Sequence, residues 1–309
     1  MSDDKELARA AIDAMHDAFG EHDGRVVHVK GAWAEGTFTA TPEGGALCRA
    51  PFLRGTPVPA LVRFSNGGGN PDAHDGDRGG RGIAVKLHLD ESVRTDLLGI
   101  SVPFFTARSP SDFVAYVRLA RRDPETGQPD LAAIGAFLEA HPETAAALGA
   151  AGALPPPASW LATSYNGIHT FRWIAPDGTA HWVRTRWIPD GGVETLTDED
   201  AQARDPNYLT ADLRDRLARG RASFTLLARL ALPGDALDDP SAPWPEDREA
   251  VPVGHLVLER AIDTAETSSD IRVFDPMRVC DGIEPSGDPI LHFRPKVYDV
   301  SARGRWTGE

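Results

Sequence analysis

Short runs of alternating apolar and polar residues, separated by turn residues, are the feature that most limits the fold of this chain. Alternation of this kind predicts strands at 36–40, 58–66, 83–89, 101–106, 167–174, 181–188, 222–232 and 251–260. Pro176-Asp-Gly178 joins two of these strands, and Asp-Gly in that position predicts a tight hairpin. Parallel βαβ repeats and Gly-x-Gly-x-x-Gly loops are absent from the sequence. The pattern predicts an α+β fold with about eight antiparallel strands, for which a closed barrel is one arrangement.

Helices are predicted mainly in the longer connections between these strands. Residues 4–20 have an apolar face and read as a packing helix. Ser109 followed by Pro110 is typical of a capped helix start, and Pro289 is equally well placed to begin a closing helix. Helical composition also covers 130–150 and 197–220.

Composition excludes several classes of function. The 309 residues carry a net charge of -14, which argues against a nucleic-acid partner or an anionic membrane surface. Two cysteines without a Cys-x-x-Cys pattern favour a reducing compartment. The acidic N-terminus lacks a signal-peptide pattern, and no apolar run is long enough to cross a membrane. We therefore expect a cytoplasmic protein without a membrane span.

One face of the predicted closing helix carries an arginine and a tyrosine one turn apart. Arg294, Tyr298, Ser301 and Arg305 are spaced i, i+4, i+7 and i+11. A guanidinium is always protonated, so Arg294 could stabilise the phenolate form of Tyr298, and a phenolate can bind ferric iron. From the spacing alone, an ordinary surface pair is the favoured interpretation, because such pairs are common.

Five stretches, taken in order, resemble the haem catalases and span roughly residues 25–305. They are Arg25-Val-Val-His28-Val-Lys-Gly-Ala, Val62-Arg63-Phe64-Ser65, Arg81-Gly-Ile-Ala-Val-Lys86, Phe104-Phe105 with Phe113, and Gly282-Ile-Glu-Pro-Ser followed by Arg294-x-x-x-Tyr298. The short chain is most similar to the small catalase-related peroxidases, or minicatalases. This resemblance implies a single haem-binding domain over 1–309 with a helical arm at 1–24. It also implies an eight-stranded antiparallel β-barrel with surrounding helices, lacking the C-terminal helical domain of large catalases.

The resemblance also assigns roles, in a haem b site. Tyr298 would be the proximal ligand of the haem iron, as in catalases, and Arg294 would bond its phenolate. His28 would be the distal acid–base residue, oriented by Ser65. The cofactor-binding residues implied are Arg25, Arg63 and Arg305 as propionate partners, with Val27, Phe105, Phe113 and Ser301 packing around the haem.

Three departures from the family pattern bear on activity and geometry. Ile100 stands where full-size catalases have a distal asparagine, which predicts weak catalase activity because a hydrogen bond to bound peroxide is lost. Trp33 replaces a small residue, and Pro295 is expected to interrupt the proximal helix.

The expected function is a haem peroxidase that reduces organic hydroperoxides and hydrogen peroxide through a ferryl intermediate. Its electron donor is unidentified, and the resemblance implies a homodimer or homotetramer. One alternative is a fatty-acid hydroperoxide isomerase or lyase similar to allene oxide synthase. Another is a non-enzymatic haem-binding sensor or carrier.

Overall fold

A closed, eight-stranded antiparallel barrel forms the centre of the protein. The computed structural model describes residues 2–21, 25–121, 123, 125–267 and 273–307, with side chains from 4 to 301 within those ranges. The strands within these ranges are β1 (Gly31–Ala40), β2 (Val58–Asn66), β3 (Arg81–His88), β4 (Arg94–Ile100), β5 (Tyr165–Asn166), β6 (Phe171–Ile174), β7 (Ala180–Pro189), β8 (Ala222–Leu230), β9 (Ala250–Ile262) and β10 (Ile283–Pro285).

Pairing between neighbouring strands closes the barrel. Its order is β1-β2-β3-β4-β5-β7-β8-β9, and β9 pairs again with β1. The short strands β6 and β10 extend the sheet beside β7. Closure leaves the eight barrel strands without a free edge, and it confirms the predicted fold class.

The helices are α1 (Ser2–Phe19), α2 (Pro42–Leu47), α3 (Pro110–Leu119), α4 (Leu131–Ala140), α5 (Pro142–Ala153), α6 (Asp198–Gln202), α7 (Tyr208–Arg219) and α8 (Pro289–Thr307). Ser109 caps α3, as predicted, because its side chain accepts a hydrogen bond from the backbone N–H of Asp112. The two long helical predictions each divide into two helices, the first at Pro142 and the second before Tyr208.

Two local predictions are wrong. Residues 101–106 do not form a strand, because the segment that pairs with β3 is Arg94–Ile100 and Pro103 offers no backbone N–H for a ladder. The expected interruption at Pro295 is also absent, because α8 continues through this residue. The predicted hairpin is present, with Gly178 in the left-handed region at φ +89°.

Two apolar clusters divide the protein into a barrel and a helical layer. The barrel cluster includes the aromatic side chains Phe38, Phe64 and Phe224, all of which are fully buried. The second cluster joins α1 and α3 with Phe293 on α8. A large cavity lies where these two layers meet. No helix within the described ranges is long and apolar enough to span a membrane.

Candidate active site

The cavity lies between the outer face of β2–β4 and the helices α1, α3 and α8. Its volume is about 340 Å³. Ten of the eleven predicted site residues line it: Arg25, Val27, His28, Arg63, Ser65, Phe105, Phe113, Arg294, Tyr298 and Ser301. The eleventh, Arg305, lies in α8 where side chains fall outside the described residues.

The α8 side of the cavity contains the arginine–tyrosine pair. Nε of Arg294 donates to the Tyr298 hydroxyl oxygen at 2.8 Å, and Nη2 donates to the same oxygen at 2.5 Å. Because a guanidinium only donates, the tyrosine oxygen must accept both bonds. An oxygen that accepts two charged donors is well suited to carry negative charge.

Two buried residues that the sequence analysis missed fix the position of Arg294. Nη1 of Arg294 lies 2.9 Å from Nε2 of His169, and Nδ1 of His169 lies 2.6 Å from Oδ2 of Asp288. Since Arg294 can only donate, Nε2 must accept, and Nδ1 must carry the proton that it donates to Asp288. The orientation of the tyrosine therefore depends on a continuous chain of hydrogen bonds.

The remaining oxygen of Asp288 begins the helix that carries the tyrosine. Oδ1 accepts hydrogen bonds from the backbone N–H groups of Ile290 at 2.8 Å and Leu291 at 3.1 Å. Asp288 and His169 are only 1% and 5% exposed, so each polar atom needs these partners. Burial lowers the pKa of His169, and although the hydrogen bond that His169 donates to Asp288 opposes this effect, the net shift favours the neutral ring.

One signal in the sequence could have revealed Asp288. An aspartate directly before a proline at the start of a helix is a typical N-cap. His169 has no comparable local signal, because its two partners are 119 and 125 residues away.

The opposite wall of the cavity contains His28, held by β2 and β3. Its Nδ1 lies 3.0 Å from Oγ of Ser65. Gly82 of β3 lies directly behind the pair, and a Cβ on this residue would be 2.9 Å from Ser65 Oγ and 3.0 Å from His28 Cε1. The absence of a side chain at Gly82 therefore lets the imidazole and the hydroxyl approach each other.

The backbone of His28 is itself unusual. Its φ is +55°, and among the described non-glycine residues it alone has a positive φ. Nη2 of Arg63 donates to the carbonyl oxygens of His28 at 2.8 Å and Val29 at 3.2 Å, which stabilises the turn. Strained backbone costs on the order of 1–3 kcal/mol and is often found at functional sites.

The surroundings of His28 favour the neutral imidazole. Burial is the main cause that lowers its pKa to about 3, and the positive charges of Arg63, Arg294 and Arg25 add to it. His28 is therefore neutral at pH 7, with one ring nitrogen protonated and the other free to accept a proton.

Two arginines that line the cavity pack against the ring of a buried tryptophan. The guanidinium carbons of Arg25 and Arg63 lie 5.6 and 5.8 Å from the ring centre of Trp33, within the range of cation–π contacts. Trp33 is buried and stacks on Phe274 at 5.8 Å. The large side chain at position 33 thus packs against both arginines.

Aromatic and aliphatic residues complete the lining. The rings of Phe105 and Phe113 stack at 5.5 Å. Ile100 lines the cavity and pairs across the sheet with Asn166, which also lines it. The Asn166 amide donates to the carbonyl oxygen of Val102 at 3.2 Å. The side-chain amide of Asn166, which lies across the sheet from Ile100, therefore already donates a hydrogen bond to the backbone.

Comparisons with known proteins identify the family of this chain. The catalase family model, described as "Catalase", matches residues 19–309. A catalase-related peroxidase of Mycolicibacterium paratuberculosis is 40% identical over 303 residues, with 96% of this chain and 93% of that protein covered. A catalase-related peroxidase of Synechococcus elongatus is 35% identical over 298 residues, with 96% and 88% covered.

Larger catalases match over most of this chain but over only part of their own length. Catalase A from Saccharomyces cerevisiae superposes with a TM-score of 0.80 at 26% identity, covering 91% of this chain and 61% of that one. A fungal catalase gives a TM-score of 0.78, also at 26% identity, covering 91% and 59%. The resemblance based on five motifs is confirmed, and the chain belongs to the catalase family.

Proposed function

We propose that this protein is a haem b peroxidase that reduces organic hydroperoxides and hydrogen peroxide. Membership of the catalase family implies a haem cofactor and an oxidoreductase that acts on peroxides. The relatives with the highest identity quoted above are named catalase-related peroxidases. Residues 1–309 would act as one domain, with α1 as its N-terminal arm.

The residues that line the cavity fit a haem. Its volume of about 340 Å³ lies within the range of about 300–1,000 Å³ that is usual for cofactor sites. Tyr298 presents an oxygen with two charged donors and would bind the iron, while Arg25 and Arg63 would neutralise the haem carboxylates. Ser301, Val27 and Phe113 would pack around it, and Arg305 would be a third carboxylate partner.

His28 would move the proton during peroxide cleavage. Bound haem would supply the iron that receives the peroxide oxygen and the electrons needed to cleave the O–O bond. With the proton of His28 on Nδ1 and donated to Ser65, Nε2 is free to accept the proton of the peroxide. The same nitrogen would return that proton to the departing oxygen, so an alcohol or water leaves instead of an anion.

One observation carries this proposal. A neutral histidine with an orienting hydroxyl and a tyrosine with two arginine donors line the same cofactor-sized cavity. A carrier or sensor needs the tyrosine side of this arrangement but has no use for the His28–Ser65 pair.

Purified protein loaded with haem provides the test. We expect a Soret band that changes on addition of an alkyl hydroperoxide and recovers with a reductant. Tyr298→Phe should abolish stable haem binding, whereas Tyr116→Phe should not, because Tyr116 is half-buried outside the cavity lining. His28→Gln should keep the haem and slow the peroxide reaction at least about 100-fold, the usual contribution of acid–base catalysis. Normal peroxide reaction in His28→Gln would refute the assignment.

Product analysis separates the two enzymatic possibilities. An alcohol as the product of a fatty-acid hydroperoxide supports the peroxidase, and an allene oxide or aldehydes support rearrangement or cleavage. The weak catalase activity expected from Ile100 and the homo-oligomeric state stay predictions.

A further inference from the structure

Helix α1 does more than cover the barrel, because two of its side chains line the cavity. Ile12 and Met15 are 7% and 3% exposed, and both face the same space as His28 and Tyr298. They lie one turn apart on the apolar face that the sequence predicts for this helix. The sequence pattern alone predicts only a packing role for α1.

The attachment of α1 is almost entirely apolar. Ala8, Ala11 and Ala14 are buried against a cluster that includes Val114 on α3 and Phe293 on α8. The small alanines allow close approach between the helices. An ion pair between Asp4 and Lys296, at 2.6 Å, also joins α1 to α8, but both side chains are 40% or more exposed, so it adds little stability.

Docking of this helix is linked to what binds in the cavity, because two of its side chains line it. Ile12 and Met15 are almost fully buried but still border the cavity, so a ligand bound there would add to their dispersion contacts. A planar apolar macrocycle would supply those contacts. Any ligand that contacts a docked helix binds less tightly when the helix is undocked, and by linkage the ligand stabilises the docked state equally.

We infer that Ile12 and Met15 are cofactor-contacting residues and that docking of α1 and binding of the tetrapyrrole stabilise each other. The ligand class is a planar tetrapyrrole with an apolar edge. This inference rests on the haem binding proposed above, but it does not depend on peroxide chemistry.

Haem transfer from the loaded, full-length protein to excess apomyoglobin tests the contact directly. Ile12→Ala and Met15→Ala should each release haem at least about tenfold faster than the wild type, because a difference of about 1.4 kcal/mol corresponds to tenfold. Arg9→Ala is the matched control, since Arg9 is exposed on the same helix and does not line the cavity. It should change the rate less than about threefold.

A conservative variant guards against general loss of structure. Met15→Leu keeps the apolar volume and should restore nearly wild-type release, whereas Met15→Gln, similar in size but polar, should behave like Met15→Ala. Equal release rates for Met15→Ala and Arg9→Ala would overturn the inference.

Hydrogen exchange supplies a readout that needs no turnover. Zinc protoporphyrin is a tetrapyrrole that does not cleave peroxides. Its binding should slow hydrogen exchange of the α1 amides in the wild type, and it should slow this exchange less in Met15→Ala. Protection of α1 in a protein that does not reduce peroxides would contradict the proposed function alone. Peroxide turnover without any protection of α1 would contradict this inference alone.

Discussion

Replacing Asp288 with asparagine tests the assignment of every proton in the buried chain that holds Arg294. In the wild type, Asp288 accepts from His169, and His169 accepts from Arg294. If the asparagine keeps its oxygen on the helix cap, its NH₂ group faces Nδ1 of His169. The imidazole proton must then move to Nε2, where it opposes the N–H of Arg294 at 2.9 Å.

The cost follows from the bonds that are lost. The charge-assisted bonds from Arg294 to His169 and from His169 to Asp288 contribute about 1.5–3 kcal/mol each, and one is broken while the other is weakened. Rotating the asparagine to spare the histidine would instead place its NH₂ against the N–H groups of Ile290 and Leu291. In either orientation we expect a loss of about 3 kcal/mol in the free energy of unfolding.

Urea unfolding of the haem-free protein measures this loss without any effect of cofactor binding. With a slope of about 3 kcal/mol/M, the midpoint should fall by about 1 M. Asp130→Asn is the matched control, because exposed Asp130 caps α4 through the N–H groups of Ala132 and Ala133, both at 3.0 Å, with no histidine involved. That change should cost less than about 0.5 kcal/mol. Equal small effects at both positions would refute the proton assignment.

Two further predictions concern the His28 side of the cavity. Because the pKa of His28 is about 3 in the folded protein and about 6.5 when unfolded, the unfolded chain binds the proton first as the pH falls. Between pH 7 and pH 5, the free energy of unfolding of the haem-free wild type should therefore fall by about 2 kcal/mol more than that of His28→Gln. An equal fall in the urea midpoints of the two proteins would contradict this prediction. Gly82→Ala should slow the peroxide reaction of the haem-loaded protein more than Ser65→Ala does. The new methyl group displaces both His28 and Ser65, whereas the serine change removes one hydrogen bond. Stopped-flow measurement gives the rates, and a Gly82→Ala rate equal to that of the wild type would contradict the prediction.

Local chemistry explains which parts of the fold could be predicted from the sequence. The cap at Ser109 and the hairpin at Gly178 depend on a few adjacent residues, and both were predicted correctly. The strand expected at 101–106 failed because its apolar residues suit a strand, but pairing with β3 selects Arg94–Ile100. Pairing partners are distant in sequence, so no local pattern could decide between these two segments.

The site divides in the same way. Tyr298 and Arg294 are one helical turn apart, so their contact follows from spacing. His169 comes from a loop before β6 and meets Arg294 only because the barrel places that loop beneath α8. The left-handed backbone of His28 likewise depends on Arg63, which lies 35 residues away.

The two histidines of the cavity differ in one respect that separates their roles. Every donor around His169 is fixed, because Arg294 can only donate and the Asp288 carboxylate can only accept. His169 therefore has no alternative proton position and can only hold Arg294 in place. His28 has a hydroxyl as its partner, and Ser65 can donate or accept. Because the bond to Ser65 occupies only Nδ1, Nε2 of His28 could take up a proton and release it without breaking the bond that orients the ring. We therefore assign the proposed acid–base chemistry to His28 and the positioning role to His169.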